Sequence, residues 1–375
     1  MNAYNAENRK KSILITISAI TGGGAEHVVE HLCNTLDSSK FDIHCGYFKE
    51  RGERGDALAA KGVKVVRLTD SDESKTDYFS FLSMRKYCKE HNIQLVHAHD
   101  IHAMVNGALM KLTMPSIKLL YTFHFGNYPN IDKNKYYFEK VFTRIPDQLI
   151  AVGTRQASQI SSTYNISEKR IKTIYNGVHD YSMTKQPSNE NENSGKITFG
   201  SLSTLTTQKG IEILIDAVEI LNKKHPGKFS MVIVGDGDLK EKLTALSHDK
   251  NLDDVITFAG WVRDANINML PNFDVFVQSS RWEAMSVVIL EAMSASKPIV
   301  ATNVGENHVV LENEKTALIV PPNDPKQLAD AMERVLEDKE LRDRLGANAR
   351  QRFGDNYTVE KMAENYEHLF SSMLK

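Results

Sequence analysis

The stretch FSMVIVGDGDLKEKLTALSH, residues 229–248, decides the fold class of this chain. Its first six residues form a largely apolar run, which favours a buried β-strand. Glycine and aspartate at 235–238 indicate a turn, and the residues after them have the spacing of an amphipathic helix. A strand that passes through a glycine turn into a helix is the first half of a β-α-β unit. We therefore predict strand 229–234 and helix 238–248 within a parallel sheet.

The alternation of strand and helix continues on both sides of this stretch. The second half of the chain has predicted strands at 196–202, 255–259, 274–278 and 298–302, helices at 209–224, 264–270, 286–296 and 325–337, and helical residues from about 338 onward. The first half has predicted strands at 13–19, 42–48, 63–67, 94–98, 118–123, 148–152 and 171–175 and helices at 25–37, 79–91, 102–113 and 154–164. This rhythm indicates an α/β chain with two doubly wound parallel-sheet, Rossmann-like domains, expected to face each other across a ligand-binding cleft.

A polar segment separates the two halves. Residues 186–195, QPSNENENSG, contain no large apolar side chain and are typical of an interdomain linker. We therefore predict an N-terminal domain over 1–185, a C-terminal domain over 196–355, and a C-terminal helical segment over 356–375.

Composition excludes several classes of protein. The 375 residues include 46 Lys plus Arg and 48 Asp plus Glu, so the net charge of -2 gives no overall basic surface for nucleic acid. Three scattered cysteines are typical of free thiols in a reducing cytosol.

No apolar run reaches the roughly 18 residues of a membrane span. Basic residues before the apolar run at 13–17 resemble a signal peptide, but the run is short and leads into three glycines, so a first strand is the preferred interpretation. We expect a cytoplasmic protein.

Two groups of residues in the first half are candidates for ligand contacts. The loop Thr21-Gly22-Gly23-Gly24-Ala25-Glu26 lets a backbone approach a ligand closely and ends at a helix N-terminus, which attracts anions. It lacks the Lys-Ser/Thr of a P-loop and the spacing of a dinucleotide fingerprint, so a simple tight turn is the alternative.

Four histidines, His97, His99, His102 and His124, lie near strand ends. Histidine clusters suggest a metal, but no acidic or cysteine ligands accompany these four at a typical spacing, so we predict no metal site. His124 follows the carboxyl end of a strand, where a substrate contact is expected. The alternative is a hydrogen-bonded loop histidine.

In the second half, Lys209 lies at the start of a predicted helix, where it can neutralise a phosphate that the helix dipole attracts. A solvated surface lysine is the alternative. The turn Gly235-Asp236-Gly237-Asp238 is explained by turn and capping chemistry rather than by a metal-binding aspartate pair.

The most informative acids are Glu283 and Glu291, on either side of Ser286, which we predict to cap a helix. A carboxylate among Val287 to Leu290 costs free energy unless it is paired, and a ribose diol is a suitable partner for Glu291. The alternative is an amphipathic helix with two surface acids.

Together these features resemble the retaining, GT-B-fold glycosyltransferases of family 4 along nearly the whole chain. The matching motifs are Gly23-Gly24-Ala25-Glu26, Thr122-Phe123-His124, Asn176-Gly177-Val178, Phe199-Gly200-Ser201-Leu202 to Lys209-Gly210, Val234-Gly235-Asp236-Gly237, Phe258-Ala259-Gly260-Trp261-Val262, Glu283 to Glu291-Ala292-Met293, Lys297-Pro298-Ile299-Val300-Ala301-Thr302 and Val320-Pro321-Pro322-Asn323-Asp324. The resemblance implies an acceptor-binding N-terminal domain, a nucleotide-sugar-binding C-terminal domain and a last helix that crosses back to the first domain. A self-contained last helix is the alternative.

The resemblance also implies roles for single residues. The implied catalytic residues are His124, Glu283 and Lys209. The implied donor-binding residues are Gly23, Gly24, Ser201, Lys209, Gly235, Val262, Arg263, Glu283, Met285, Ser286, Val287 and Glu291, with the loop at 261–263 around the base. The implied acceptor-binding residues are Glu26, His99, His124 and Tyr128.

The implied activity is hexosyl transfer with retention from a nucleotide sugar, with UDP favoured, without a metal or other cofactor. The implied acceptor is a saccharide, such as a lipid-linked glycan intermediate of cell-surface polysaccharide or O-antigen synthesis. Two alternatives remain, a nucleotide-sugar epimerase of the same fold and a non-catalytic sugar-nucleotide-binding subunit.

One departure from the family concerns phosphate binding. The family usually has Arg where this chain has Ser201, and Arg281 and Arg263 are the nearest candidates to replace its charge. His308 stands where the family often has Glu.

The basic and aromatic residues at 133–144 suit an anionic membrane surface. We therefore expect a peripheral position on the inner face of the cytoplasmic membrane. The alternative is an aromatic-rich helix that packs on its own domain.

Overall fold

The structure is a computed structural model that describes residues 10–70, 77–128, 130–181 and 195–375. Contacts divide it into two compact units. The first unit extends to Gly177 and also includes Val359–Lys375, whereas the second unit is Val178–Thr358. The predicted linker at 186–195 lies outside the described residues except for Gly195.

The first unit contains a seven-stranded parallel sheet with helices between its strands. Its elements are β1 (Lys11–Ile17), α1 (Gly24–Thr35), β2 (Phe41–Tyr47), α2 (Gly52–Ala60), β3 (Lys64–Arg67), α3 (Phe81–Glu90), β4 (Leu95–Ala98), α4 (Ile101–Thr113), β5 (Lys118–Phe123), α5 (Lys133–Phe142), β6 (Gln148–Ala151), α6 (Thr154–Tyr164) and β7 (Ile171–Thr173). The strand order is β3-β2-β1-β4-β5-β6-β7. The order therefore reverses between β1 and β4, and such a switch point is where doubly wound sheets bind ligands.

The second unit contains a six-stranded parallel sheet of the same design. Its elements are β8 (Ile197–Leu202), α7 (Ile211–Lys224), β9 (Phe229–Val234), α8 (Lys240–Asp249), β10 (Ile256–Gly260), α9 (Ala265–Asn268), β11 (Val275–Gln278), α10 (Val287–Ser294), β12 (Ile299–Thr302), α11 (Asn307–Val310), β13 (Leu318–Val320), α12 (Pro325–Glu337) and α13 (Lys339–Asn356). The strand order is β10-β9-β8-β11-β12-β13, so the switch point lies between β8 and β11.

The last helix, α14 (Val359–Met373), belongs to the first unit. Glu367 accepts a hydrogen bond from the backbone N–H of Asp37 at 2.8 Å, and the rings of Phe370 and Phe41 lie 5.9 Å apart. The chain changes units at 177/178 and 358/359 rather than at the predicted 185 and 355. The two crossings are paired with each other, because Val178 donates its N–H to the carbonyl oxygen of Tyr357 at 3.1 Å.

The predicted strands and helices are confirmed to within a few residues, with specific exceptions. The sequence pattern does not predict α2, α11 and β13, and it predicts one helical stretch where the structure has α13 and α14. The central strands of both sheets are buried on two faces, as in β4, β11 and β12, which explains continuous apolar runs such as that of β1. Among the described residues, no helix is long and apolar enough to cross a membrane.

Candidate active site

The switch point of the second unit brings together Lys209 and Glu283. Lys209 ends the loop that follows β8, and Glu283 lies in the loop that follows β11, the neighbouring strand. The carboxyl ends of β8 and β11 lie at the same edge of the sheet, so the two side chains meet there. The distance between Lys209 Nζ and Glu283 Oε1 is 2.6 Å. The sequence predicted a function for both residues but not this ion pair.

Two further side chains hold the carboxylate of Glu283. Ser280 donates its hydroxyl to Oε1 at 2.8 Å, and Gln208 donates its amide to Oε2 at 3.2 Å. The side chain of Glu283 is 8% exposed and that of Lys209 is 20% exposed, so the pair is reachable mainly from the lysine side. Sequence reasoning missed Ser280 and Gln208, although each lies within three residues of a predicted site residue.

Two glycines fix the backbone of these loops. Gly210 has φ +59°, and a Cβ atom there would lie 2.5 Å from the carbonyl oxygen of Ser279. Gly305 has φ +51°, and a Cβ atom there would lie 2.5 Å from the carbonyl oxygen of Glu283. Both positions combine a left-handed backbone with a close approach, so only glycine fits without strain. They hold the Lys209 and Glu283 loops in place.

The N-terminus of α10 lies directly after this loop. Ser286 occupies the N-cap position as predicted, but its side chain does not cap the helix. Its hydroxyl instead accepts a hydrogen bond from Gln278 at 2.7 Å, and Asn307 in turn donates to Gln278 at 2.7 Å. The first-turn amides of α10 therefore have no side-chain cap, and such amides attract anions.

Glu291 lies on α10 and is buried. Its Oε1 accepts a hydrogen bond from Asn266 of α9 at 3.0 Å. Glu291 is therefore not the surface acid of the alternative interpretation, and Asn266 is a partner that the sequence did not indicate, while the ribose contact stays a prediction. The loop just before α9 includes Trp261, 68% exposed, and the exposed Arg263, with Val262 half-buried.

The other predicted donor-binding residues are buried, half-buried or part of a tight turn. Ser201 is buried within β8, and Met285 is buried beside the half-buried Val287. Gly235 has φ +137°, and a Cβ atom there would lie 1.8 Å from the carbonyl oxygen of Ser203, so this glycine is required by the turn itself. Asp236 accepts the N–H of Gly237 at 2.8 Å, which confirms turn chemistry.

Arg281 does not present a free charge at this edge. Its guanidinium lies 2.7 Å from Glu212 Oε1, and its Nε donates to Asn323 at 2.9 Å. The carboxylate of Glu212 therefore already offsets the positive charge that the sequence analysis considered as a replacement for the arginine missing at Ser201.

In the first unit, three histidines meet at the carboxyl ends of β4 and β5. His124 Nε2 lies 2.9 Å from His99 Nδ1, and His99 Nε2 lies 3.3 Å from His97 Nδ1. Burial lowers the pKa of His97 and His99 well below the usual value, and it lowers the pKa of His124 to about 4. His102 lies apart from them, with its Nε2 2.9 Å from the carbonyl oxygen of Asp77.

The glycine loop after β1 lies at the same sheet edge. Gly22, Gly23 and Gly24 are exposed, and α1 begins without a side-chain cap at Gly23. The carboxylate of Glu26 lies against the backbone of Gly23, so that a Cβ atom on Gly23 would be 2.1 Å from Glu26 Oε2. Burial raises the pKa of Glu26, while the backbone N–H groups of Glu26 and Gly23 stabilise its charged form.

Comparisons with known proteins identify the family. The description "Glycosyl transferases group 1" matches residues 182–352, and "Glycosyltransferase Family 4" matches residues 22–180. The chain belongs to the group 1 glycosyltransferases. An uncharacterized glycosyltransferase of Methanocaldococcus jannaschii is 27% identical over 292 residues, which is 74% of each chain.

Two further proteins are similar to this glycosyltransferase over nearly its whole length. The UDP-Gal:alpha-D-GlcNAc-diphosphoundecaprenol alpha-1,3-galactosyltransferase of Escherichia coli is 24% identical over 94% of each chain. The crystal structure of Anabaena Alr3699/HepE in complex with UDP and glucose has a TM-score of 0.85 and 20% identity, covering 96% of this chain and 100% of that one. With the two parallel sheets, this similarity confirms the predicted GT-B fold class.

Two of the residues predicted to bind the acceptor are core residues in this glycosyltransferase. The ring of Tyr128 is buried against Phe125 and Tyr164, and its hydroxyl faces the buried Glu139 at 3.5 Å. His99 is buried between two other histidines. Burial leaves Tyr128 and His99 little surface with which to contact an acceptor, whereas His124 is half-buried, and the acceptor contacts stay predictions.

Proposed function

We propose that this glycosyltransferase transfers a hexose, with retention of configuration, from a UDP-linked donor to a saccharide acceptor carried by a lipid. The observation that carries the proposal is the Lys209–Glu283 pair at the switch point of the second sheet, with 2.6 Å between Nζ and Oε1. The UDP-linked donor and lipid-linked acceptor in the name of the Escherichia coli relative support the substrate class.

The pair provides both charges that the donor requires. Leaving of the diphosphate places negative charge on its oxygens, and a preorganised cation stabilises that charge most when water is excluded. Lys209 supplies the cation, and the uncapped first turn of α10 supplies further N–H donors. Glu283, fixed by Ser280 and Gln208, accepts hydrogen bonds from sugar hydroxyls.

The nucleoside part of the donor binds to α10 and to the loop before α9. Glu291 accepts hydrogen bonds from the ribose diol, while Asn266 donates to the same carboxylate at 3.0 Å. The exposed Trp261 and its neighbours offer the base an apolar surface and backbone groups. These roles assign the donor to the second unit and the acceptor to the first, where Glu26 and His124 lie.

The proposed reaction requires no metal. The bond between the anomeric carbon and the diphosphate oxygen breaks, and the acceptor oxygen attacks the same face of the sugar. The departing diphosphate oxygen takes the proton of the acceptor hydroxyl, so charge and atoms balance without an added base. Lys209 and the α10 amides then have the role that a metal cation has elsewhere.

We also propose that the acceptor is reached at an anionic membrane surface. Five large apolar side chains are exposed on or next to α3 and α5, and we call them the α3–α5 surface: Phe79, Leu82, Tyr137, Phe138 and Val141. The rings of Tyr78 and Phe138 stack at 5.5 Å, which joins the start of α3 to α5.

The charges beside this surface favour anionic lipid. Lys133 and Arg144 are exposed at the two ends of α5, and Lys140 is half-buried between them. The acid of this helix, Glu139, is buried and accepts the hydroxyls of Tyr121 and Tyr164 instead of facing solvent. Apolar side chains flanked by basic ones are typical of surfaces that bind lipid headgroups.

The activity is tested with purified protein, a panel of UDP-, GDP- and ADP-sugars and a membrane lipid extract, with release of free nucleotide as the measurement. We expect release from one UDP-sugar that depends on the extract and is lost in Glu291→Gln. The matched control is Glu337→Gln, an exposed glutamate on α12, which should retain release. The same assay in excess chelator tests the metal-independent reaction.

The other candidate activities give different results in this experiment. An epimerase changes the donor sugar without releasing nucleotide, and a non-catalytic subunit binds a nucleotide sugar without turnover. Either result, or release that is unchanged in Glu291→Gln, contradicts the proposal. The anomeric configuration of the isolated product, read by NMR coupling constants, tests retention.

A further inference from the structure

A continuous line of hydrogen bonds runs from His124 into the core of the first unit. It links His124 to His99 at 2.9 Å, His99 to His97 at 3.3 Å, His97 Nε2 to the hydroxyl of Thr122 at 2.8 Å, and Thr122 to the hydroxyl of Tyr366 at 3.1 Å. His124 is half-buried, whereas the other four side chains are at least nine-tenths buried. We call these five residues the histidine relay.

The fold explains the order of the relay. His97 pairs with Leu120 in the parallel register of β4 and β5, so 97 and 99 lie on the same face as 122 and 124. Helix α14 covers this face, and the ring of Tyr366 lies 5.0 Å from that of His97. The outer end of the relay is therefore at the candidate acceptor site, and its inner end is closed by α14.

All three imidazoles are neutral at physiological pH, because burial lowers the pKa of each. A neutral imidazole has one N–H donor and one nitrogen lone pair. Each histidine in the middle of the relay uses both nitrogens, so donation must run in one direction through the three rings. The three imidazoles therefore have only two arrangements, with their protons all directed outward or all directed inward.

The closed inner end decides between these arrangements. Among the described residues, the hydroxyl of Tyr366 has Thr122 as its one hydrogen-bond partner. With protons directed inward, His97 donates to Thr122, and one of the two hydroxyls is left without an acceptor. Either Thr122 donates to Tyr366 and the phenol O–H is unpaired, or Tyr366 donates to Thr122 and the threonine O–H is unpaired, and a buried unpaired donor is unfavourable. With protons directed outward, Tyr366 donates to Thr122, Thr122 to His97 Nε2, His97 Nδ1–H to His99, and His99 Nδ1–H to His124 Nε2.

We propose that His97 and His99 are positioning residues that fix the tautomer of His124, so that its Nδ1 faces the substrate as an N–H hydrogen-bond donor. His124 then binds an oxygen lone pair, that of a sugar hydroxyl or phosphate, and does not act as a general base. The inference rests on the proposed function for its substrate, but the tautomer is a property of the protein alone.

The tautomer is measured by NMR on protein labelled with ¹⁵N histidine, because protonated and unprotonated imidazole nitrogens have well separated shifts. The signal of His124 is assigned as the one lost in His124→Asn. We expect Nδ1 protonated and Nε2 unprotonated in the wild type. A protonated Nε2 on neutral His124 would overturn the proposal, whatever the transferase assay shows.

Two variants test the direction of the relay. His99→Asp replaces the donor facing His124 Nε2 with a carboxylate acceptor, so we expect the Nε2 of His124 to become protonated. Tyr366→Phe is the control, since Thr122 then forms the closed end and still donates to His97, and the tautomer of His124 should not change. The opposite response in either variant contradicts the mechanism.

The activities of two variants of His124 distinguish a hydrogen-bond donor from a general base at this position, even if His99→Asp does not fold. His124→Asn keeps an N–H donor near the Nδ1 position, whereas His124→Asp offers only acceptors at neutral pH. We expect His124→Asn to be at least about tenfold more active than His124→Asp, the value of one net hydrogen bond. Equal loss of activity in the two variants contradicts the donor role. Absence of nucleotide release from the wild type contradicts the proposed function and leaves the tautomer result valid.

Discussion

Lys209 Nζ and Glu283 Oε1 lie 2.6 Å apart, across the point where the strand order of the second sheet reverses. The lysine comes from the loop after β8 and the glutamate from the loop after β11, 74 residues later. This ion pair positions a cation next to a carboxylate that Ser280 and Gln208 already hold. A ligand with a phosphate beside a sugar hydroxyl can therefore meet both charges without reorganising the loops.

The first prediction concerns the cation. Lys209→Met removes the charge but keeps much of the apolar stem, so we expect kcat/KM to fall by about 10²–10³, the usual effect of losing one preorganised donor. Glu283 keeps its hydrogen bonds from Ser280 and Gln208. We expect the free energy of unfolding to fall by about 1–3 kcal/mol. Lys223→Met on the exposed face of α7 is the control and should change neither quantity. Unchanged turnover in Lys209→Met would remove this residue from the donor site.

The second prediction concerns Gly305. A Cβ atom there would lie 2.4 Å from the carbonyl oxygen of Ala284 and 2.5 Å from that of Glu283, at φ +51°. We expect Gly305→Ala to lower stability by about 1–3 kcal/mol and to weaken donor binding, because the Glu283 loop must move. Gly354→Ala on α13, where a Cβ atom meets nothing within 4 Å, should be neutral or stabilising. Urea unfolding and donor titration of both variants measure these effects.

The third prediction is a pH dependence of stability. In the unfolded chain His97, His99 and His124 titrate near the ordinary value of about 6.5, whereas burial lowers the pKa of all three in the folded protein, to about 4 for His124. Below pH about 6.5 the unfolded state therefore binds more protons, and stability falls as the pH falls.

We expect each of these histidines to contribute up to about 1.4 kcal/mol per pH unit in that range. His124→Asn should make the pH dependence of the free energy of unfolding shallower by up to that amount. His248→Asn should make it steeper, because Asp253 raises the pKa of His248. Burial raises the pKa of Glu26 and Glu139, which opposes the histidines, so the comparison is between each variant and the wild type. A steeper dependence in His124→Asn contradicts the burial argument.

The alternating pattern and the glycine turns were sufficient to predict both sheets, because a buried parallel strand is a short apolar run whatever surrounds it. Helix α2 was missed since it contains Gly52 and Gly55, which are poor helix formers, and only Gly55 and Leu58 are buried there. Strand β13 has three residues and no pattern of its own. The break between α13 and α14 depends on the pairing of Val178 with Thr358, which is not a local signal.

The site was predictable where a residue type is unusual for its place, as with Glu291 in an apolar helix. It was not predictable where partners come from distant segments. Tyr366 lies 244 residues from Thr122, so no spacing connects it to the histidines. Glu139 is buried and accepts the hydroxyl of Tyr121, 18 residues before it, and the hydroxyl of the buried Tyr128 also faces it, so no spacing marks these residues as one buried group.

The last prediction concerns the α3–α5 surface. Leu82 is 56% exposed and Val141 is 59% exposed, although large apolar side chains rarely cluster at a surface that meets only water. We expect the double variant Leu82→Ser/Val141→Ser to bind vesicles of anionic lipid about 30-fold more weakly than the wild type, because insertion of such side chains contributes on the order of 1 kcal/mol each. Sedimentation with vesicles at low salt measures the binding.

The control is Leu112→Ser in the last turn of α4, where the leucine is 67% exposed but lies outside this surface. It should bind vesicles as the wild type does, and all three proteins should unfold at similar urea concentrations. Because the basic residues of α5 act through charge, binding of the wild type should weaken as salt rises, whereas the apolar contribution should not. If the double variant binds anionic vesicles as tightly as Leu112→Ser, the α3–α5 surface is not the membrane contact, and the aromatic residues of α5 serve only the packing of the first unit.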